Sequence, residues 1–199
     1  DFHLPQKRNR LYIFATLEEP QEGLLFNFTA QAISEHFNSK LDSFSGLKSN
    51  SVLDFLDADA DRKYFLSERI KPTILSDGSK GYKSHSEINQ VVARPLTATM
   101  HKMHRACQDN YYSQDFIVSK GKVNAAQTAS KEDLLKMDIR RITPEEAFMI
   151  QGFPKSHVEN ARAAGVSDGA LYKQAGNAVS VNIIYAILLY LIDNHVVTE

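Results

Sequence analysis

The sequence predicts the edge of an α/β core joined to an irregular, loop-rich module. Three observations carry this: one continuous apolar run near the start, a long polar stretch after Pro20, and a return of helix signals after Arg141. The run Leu11-Tyr12-Ile13-Phe14-Ala15 follows the polar turn Pro5-Gln6-Lys7-Arg8-Asn9-Arg10. It lacks alternation, as does a strand buried on both faces of a parallel sheet. After Pro20 the chain is rich in Ser, Asn, Lys and Asp, with short apolar groups and glycines at 46, 78 and 81, so this part is expected to be loops.

Thr143-Pro144-Glu145-Glu146 supplies a cap side chain, a proline at the first helical position and a glutamate three residues after the cap. A short helix over Ala147–Gln151 is expected, stopped by Gly152 and Pro154. Gly176-Asn177-Ala178-Val179 is expected to open a second helix. Its residues Ile184, Ile187, Leu188, Leu191 and Ile192 keep one-face spacing and imply deep burial. No internal repeat or low-complexity segment is visible.

The chain has 199 residues, 23 Lys+Arg, 24 Asp+Glu, 43% apolar residues and one cysteine. This composition excludes a disordered tail, and one thiol excludes an internal disulfide or a four-cysteine zinc site. A lone thiol suits a reducing cytoplasm, nucleoid-associated in a bacterium. Val181–Ile192 is the longest nearly apolar stretch, shorter than the about 20 residues of a bilayer span, so no membrane partner is expected. Residue 1 is Asp with no signal-peptide pattern after it. Net charge is −1, yet Asp77–Val123 carries seven basic and four acidic residues, while Ser51–Glu68 is acidic. The positive region lies in the middle.

Four constellations have candidate chemistry. Gln6-x-Arg8-x-Arg10 places guanidinium groups at alternate positions, able to converge on an anion or carbonyl oxygen; a solvated strand edge gives the same pattern. Gly176–Val179 allows close approach of a ligand to exposed amides, or is a tight turn capped by Asn. His101-x-x-His104-x-x-Cys107 has zinc-like spacing, but Lys102 and Arg105 repel a cation, and the same residues suit phosphate and base-edge contacts. Asp57-x-Asp59-x-Asp61 with Glu68 imitates a calcium loop whose turning glycine is replaced by Arg62, which favours a solvated acidic turn. No metal is expected.

Taken in order, three stretches resemble the C-terminal part of the DNA (cytosine-5)-methyltransferase family. Pro5-Gln6-Lys7-Arg8-Asn9-Arg10 resembles the family's Pro-Gln-x-Arg-x-Arg motif. Arg94-Pro95-Leu96-Thr97-Ala98-Thr99 resembles the Arg-Thr-Leu-Thr-Ala stretch of its target-recognition region. Arg141 to Ala147 running to Gln151-Gly152-Phe153-Pro154, then Tyr172-Lys173-Gln174-Ala175-Gly176-Asn177-Ala178-Val179, resembles its last two motifs. About half the chain carries the resemblance. The family's Pro-Cys-Gln nucleophile, Phe-x-Gly-x-Gly cofactor loop and Glu-Asn-Val acid have no counterpart; Cys107-Gln108 follows Ala106 rather than proline and falls in the recognition region. Pro95 stands where the family has threonine, removing a hydroxyl and an amide donor.

The resemblance implies the edge and returning helix of a Rossmann-like S-adenosylmethionine-dependent domain (residues 1–28 and 166–199). Between them, 29–165 would be a loop-rich, mainly β target-recognition domain. It implies double-stranded DNA as substrate, a cytosine flipped from the stack, and a cofactor shared with an N-terminal catalytic half that supplies the thiol. Arg10 would hold the O2 side of the base and Arg8 would support the site. Asn177, Ala178 and Val179 would line the cofactor pocket. Thr97, Thr99, His101, Lys102, His104, Arg105, Lys80 and Lys83 would face DNA, with Gln108, His104 and the Ser79–Lys83 loop as base readers. A stand-alone sequence-specific DNA reader is the alternative, against which the Gly-Asn-Ala-Val stretch argues.

Overall fold

The computed structural model describes residues 2–15, 17, 27–79, 82–83 and 86–196. Helix α1 (Ala30–Ser39) starts where Thr29 accepts a hydrogen bond from the Ala32 amide, and it buries Ile33 and Phe37, one turn apart. Short helices α2 (Lys71–Ile74), α3 (Gln114–Val118) and α4 (Lys131–Lys136) punctuate the middle. Among the described residues the strands form two antiparallel pairs, the hairpin of β1 (Gly78–Ser79) with β2 (Tyr82–Lys83), and β3 (Tyr111–Ser113) with the distant β4 (Ile139–Arg141). Helices α5 (Pro144–Ile150), α6 (Lys155–Ala163), α7 (Asp168–Asn177) and α8 (Val181–Asp193) close the chain.

Three apolar clusters hold these elements. The largest joins Val52, Leu96, Tyr112, Phe116, Ile142, Ile150 and Tyr172. A second sets Leu66, Ile74 and Tyr111 around Ile139 of β4. The third packs Ile33 and Phe37 of α1 against Ala186 and Tyr190 of α8. The clusters draw from both sides of the boundaries expected at residues 29 and 166.

A buried ion pair ties the first two clusters together. Arg140, on β4, faces Glu146 with side-chain exposures of 0% and 1%. Its guanidinium donates to both carboxylate oxygens, Nη1 to Oε2 at 2.8 Å and Nη2 to Oε1 at 2.6 Å. The same oxygens accept from the backbone amides of Thr143 and Asp57, each at 2.7 Å. Arg140 also donates to the Asp57 carbonyl at 2.7 Å. Glu146 is thus both the third residue of the expected capping box, present with Thr143 as cap, and the counter-ion of a buried arginine.

Several sequence expectations are corrected. Leu11–Ala15 forms no strand, and Leu11 and Ile13 are 85% and 84% exposed. Continuous apolarity marks a segment suited to burial, and the neighbours that would cover it are not among the described residues. The recognition region is not mainly β, because α1–α4 and short 3₁₀ turns occupy most of its ordered positions. Gly176-Asn177 does not open the apolar helix: it ends α7, and α8 begins three residues later after the extended Ser180.

The buried face of α8 is Asn182, Ala186, Tyr190 and Leu191, whereas Ile184 and Leu188 are 38% and 50% exposed. Spacing finds an apolar stripe but not which side has a neighbour; here Asn182 donates to the Phe2 and Leu47 carbonyls and sets the inward side. By composition Asp168–Asp193 is long and apolar enough to cross a bilayer, an 18-residue stretch within it having mean hydropathy 1.8. The extended residues Ala178 and Ser180 break it. The 13 residues of α8 span about 20 Å, short of a hydrocarbon core of about 30 Å.

Removing one partner of a buried pair strands the other charge, at a cost of about 3–5 kcal/mol. Glu146→Gln is therefore expected to lower the unfolding free energy by about that amount in urea titration. Replacing both Arg140 and Glu146 by Met should not recover it, because the Thr143 and Asp57 amides and the Asp57 carbonyl would lose their partners.

Candidate functional site

The Pro5–Tyr12 segment and the first two turns of α8 wall an open cavity of about 960 Å³. Lys7, Arg8 and Arg10 line it together with Gln6 and Asn9, the apolar lining includes Leu4, Ile33, Ile183 and Ile187, and among the described residues no carboxylate belongs to the lining. The segment is held extended beside Ala93: the Lys7 amide donates to the Ala93 carbonyl at 2.9 Å and the Ala93 amide to the Pro5 carbonyl at 2.7 Å. Both polar atoms of the Gln6 side chain are buried without a hydrogen-bond partner, a cost that a native fold accepts where a ligand or another chain completes the site.

The two arginines do not converge. Arg8 turns inward and donates to three carbonyls: Leu96 at 2.8 Å, Gly176 at 3.0 Å and Ala178 at 3.0 Å. Burial and then the neighbouring Arg10 cation pull the Arg8 pKa below the usual arginine value. Arg10 is exposed and among the described residues bonds only to the adjacent Asn9 carbonyl, at 2.7 Å, which leaves further guanidinium donors for an incoming group.

α7 turns into α8 over Ala178–Ser180, of which Ser180 lines the cavity. Gln151 holds this corner from beneath, its buried amide donating to the Ala175 carbonyl at 3.0 Å and accepting from the Ser180 hydroxyl at 3.0 Å. The Val181 amide donates to its carbonyl at 2.9 Å. Asn177 and Val179 project into solvent on either side of the smaller Ala178. Gly176 has a packing reason to be glycine, since a Cβ there would lie 2.2 Å from Thr97 C and Ala98 N. The 97–101 segment therefore lies directly on α7, and His101 rests beside Gly169.

The expected DNA-facing residues divide. Thr99 and Lys102 are exposed. Arg105 turns inward and donates to the Thr97 hydroxyl at 2.6 Å and to Asp109 Oδ1 at 3.2 Å, so it braces the loop. His104 also turns inward, its Nε2 accepting from Arg141 at 2.7 Å while its Nδ1 meets the Tyr111 hydroxyl at 3.1 Å. Burial, and secondarily the Arg141 cation, hold the His104 pKa below the ordinary value. Burial raises the Asp109 carboxyl, and Arg105 opposes that rise. Gln108 is exposed, Lys83 is the second residue of β2, and Lys80 lies outside the described residues. Among the described residues no three His, Cys, Asp or Glu side chains gather as metal ligands.

Sequence reasoning missed the bracing roles of Gln151 and Arg141, whose partners are backbone groups or residues more than 20 positions away, and of Arg105 and Arg140, whose carboxylate partners are near in sequence but whose inward orientation depends on the fold. It also missed the role of Gly176, whose signal was its glycine within an otherwise helical stretch.

Comparison with known proteins adds the following. The model of the C-5 cytosine-specific DNA methylase family matches residues 1–192. The type II methyltransferase M.DsaV of Dactylococcopsis salina is 27% identical over 94% of this chain and 43% of its own length. The orphan methyltransferase M.SPRI of Bacillus phage SPR is 42% identical over 32% of this chain and 15% of its own. The chain thus spans less than half the length of these relatives. Among solved structures, the S. pombe Dnmt2 methyltransferase superposes with a TM-score of 0.55 at 13% identity, over 81% of this chain and 47% of that one. The Entamoeba histolytica methyltransferase EhMeth gives 0.54 at 20% identity, over 77% of this chain and 43% of that one. Both share the fold.

The His104 cluster sets a pH dependence. A base whose folded pKa is depressed contributes stability that is complete above its unfolded pKa, about 6.5, and is lost as pH falls below it. The stability difference between the wild type and His104→Gln should therefore shrink between about pH 7.5 and 5 in urea titrations. A difference that is constant across this range would contradict the neutral, acceptor role of His104.

Proposed function

The chain belongs to the C-5 cytosine-specific DNA methylase family. From that premise we propose that it is the C-terminal portion of a DNA cytosine-5 methyltransferase, supplying target recognition, a base-contacting arginine and one wall of the cofactor pocket. The observation that carries this is the contrast between Arg8 and Arg10. Arg8 is consumed by protein carbonyls, whereas Arg10 faces a cationic cavity with donors to spare.

Arg10 is the catalytic residue we assign within this chain: its guanidinium donates to the O2 edge of a flipped cytosine and favours the charge that develops on the ring. S-adenosylmethionine fits the corner at Asn177–Val179, where an exposed amide and an exposed apolar side chain flank a small residue. When bound, it supplies the methyl group. Asn177 and the backbone of Ala178 and Val179 hold it, and Gln151 and Arg8 keep that wall in place. Lys102 and Thr99 serve as phosphate contacts in the recognition loop, which acts on double-stranded DNA in the cytoplasm.

The thiol that adds to C6 belongs to an N-terminal half, in the same chain or in a separate subunit. Cys107 is half-buried between the braced residues Arg105 and Asp109 and lies outside the cavity lining. The exposed side chains Leu11, Ile13, Ile184 and Leu188 form the apolar surface on which that half closes.

The test is methyl transfer from labelled S-adenosylmethionine to mixed-sequence duplex DNA. The 199-residue chain alone should be inert, and joining it to the N-terminal half should restore transfer. Arg10→Ala should then lower kcat by about 100-fold or more. Transfer by the pure chain that is lost on Cys107→Ser would overturn the assignment. Sequence-specific DNA binding with no transfer after joining would favour a stand-alone DNA reader.

A further inference from the structure

We propose that Arg8 is a positioning residue that sets the recognition segment Leu96–Thr99 against the cofactor-lining corner Gly176–Ser180; this rests on the functional reading above. One guanidinium donates to Leu96 on one side and to both Gly176 and Ala178 on the other. These carbonyls come from two segments far apart in sequence, converging on a single cation.

Convergence of three carbonyl dipoles is unfavourable unless a positive charge sits between them, and a half-buried site screens that repulsion less than water does. Gly176 brings the same two segments into backbone contact, because the space a Cβ would need is filled by Thr97 and Ala98. Arg105 fixes the other end of the recognition segment through the Thr97 hydroxyl. The segment is therefore held from the corner by Arg8 and from its own loop by Arg105. Arg8, through the Leu96 carbonyl, and the backbone contact at Gly176 link the position of this segment to Ala178.

Lysine does not reproduce this arrangement. An ammonium is a single point on a flexible stem, whereas the planar fork presents two nitrogens to two segments at once. Arg8 and Arg10 thus have different tasks although they occupy equivalent places in one motif. Arg10 touches substrate, and Arg8 acts through Leu96, Gly176 and Ala178.

The experiment has two readouts. The first is amide hydrogen exchange in the chain itself, comparing the wild type, Arg8→Lys and Arg8→Ala. Both variants should speed exchange about tenfold in residues 96–100 and in residues 176–181 together, while the β3–β4 strand pair keeps its wild-type rates. Acceleration in one segment only, or wild-type exchange in Arg8→Lys, would overturn the proposal.

The second readout is DNA affinity of the enzyme joined to its N-terminal half, with and without S-adenosylhomocysteine. In the wild type the two affinities differ, and in Arg8→Lys their ratio falls toward one while KM rises for both substrates. A ratio unchanged by Arg8→Lys would show that the arginine is merely structural. Failure of the joined wild type to bind the cofactor or transfer methyl overturns the functional reading instead, and the exchange result still decides the positioning role.

Discussion

Glu146 must satisfy four donors at once, two from Arg140 and one each from the Thr143 and Asp57 amides. A carboxylate buried to this degree is tolerable only with every lone pair occupied, so its partners are fixed relative to one another. That fixes the start of α5 against β4 and against the loop at Asp57. Seven residues of helix later, Gln151 leaves α5 with a known position and grips the α7–α8 corner from below. The ion pair contributes orientation more than net stability.

From this frame the rest is assembled by arginines that donate to carbonyls and hydroxyls. Arg8 and Arg105 pin the two ends of the recognition segment. Arg162 bridges Glu145 on α5 and Asp168 on α7, with Tyr64 bonded to the same Asp168. Fixing these cations internally leaves Lys7, Arg10 and Lys102 as exposed positive charges near the cavity and the loop. A chain of net charge −1 can therefore present a cationic working face.

Local signals in the sequence were legible wherever the responsible partners lie within a few residues. The Thr143-Pro144-Glu145-Glu146 start is present with both capping hydrogen bonds, and Gly152 ends α5 with a φ of +93°. The order of the family motifs was also legible, and it gave the family. Long-range pairings were not. Nothing near Arg8 reveals that its partners are 88 to 170 residues away. Helix α1 was missed because only Ile33 and Phe37 mark its buried face amid Ser, Asn and Gln. The stripe on α8 was read correctly at Leu191 and in part at Ile187 and Ile192 but not at Ile184 and Leu188, since burial there is decided by Phe2, Leu47 and α1 rather than by spacing.

The central claim is that the corner between α7 and α8 is one wall of a cofactor pocket shared with another segment. Its most direct test is backbone amide NMR of this chain, bound to the N-terminal half, as S-adenosylhomocysteine is added. Shifts concentrated at Asn177, Ala178, Val179 and Ser180 are the expected result. A corner left unshifted, with changes confined to α1 or to the β3–β4 strand pair, would contradict it.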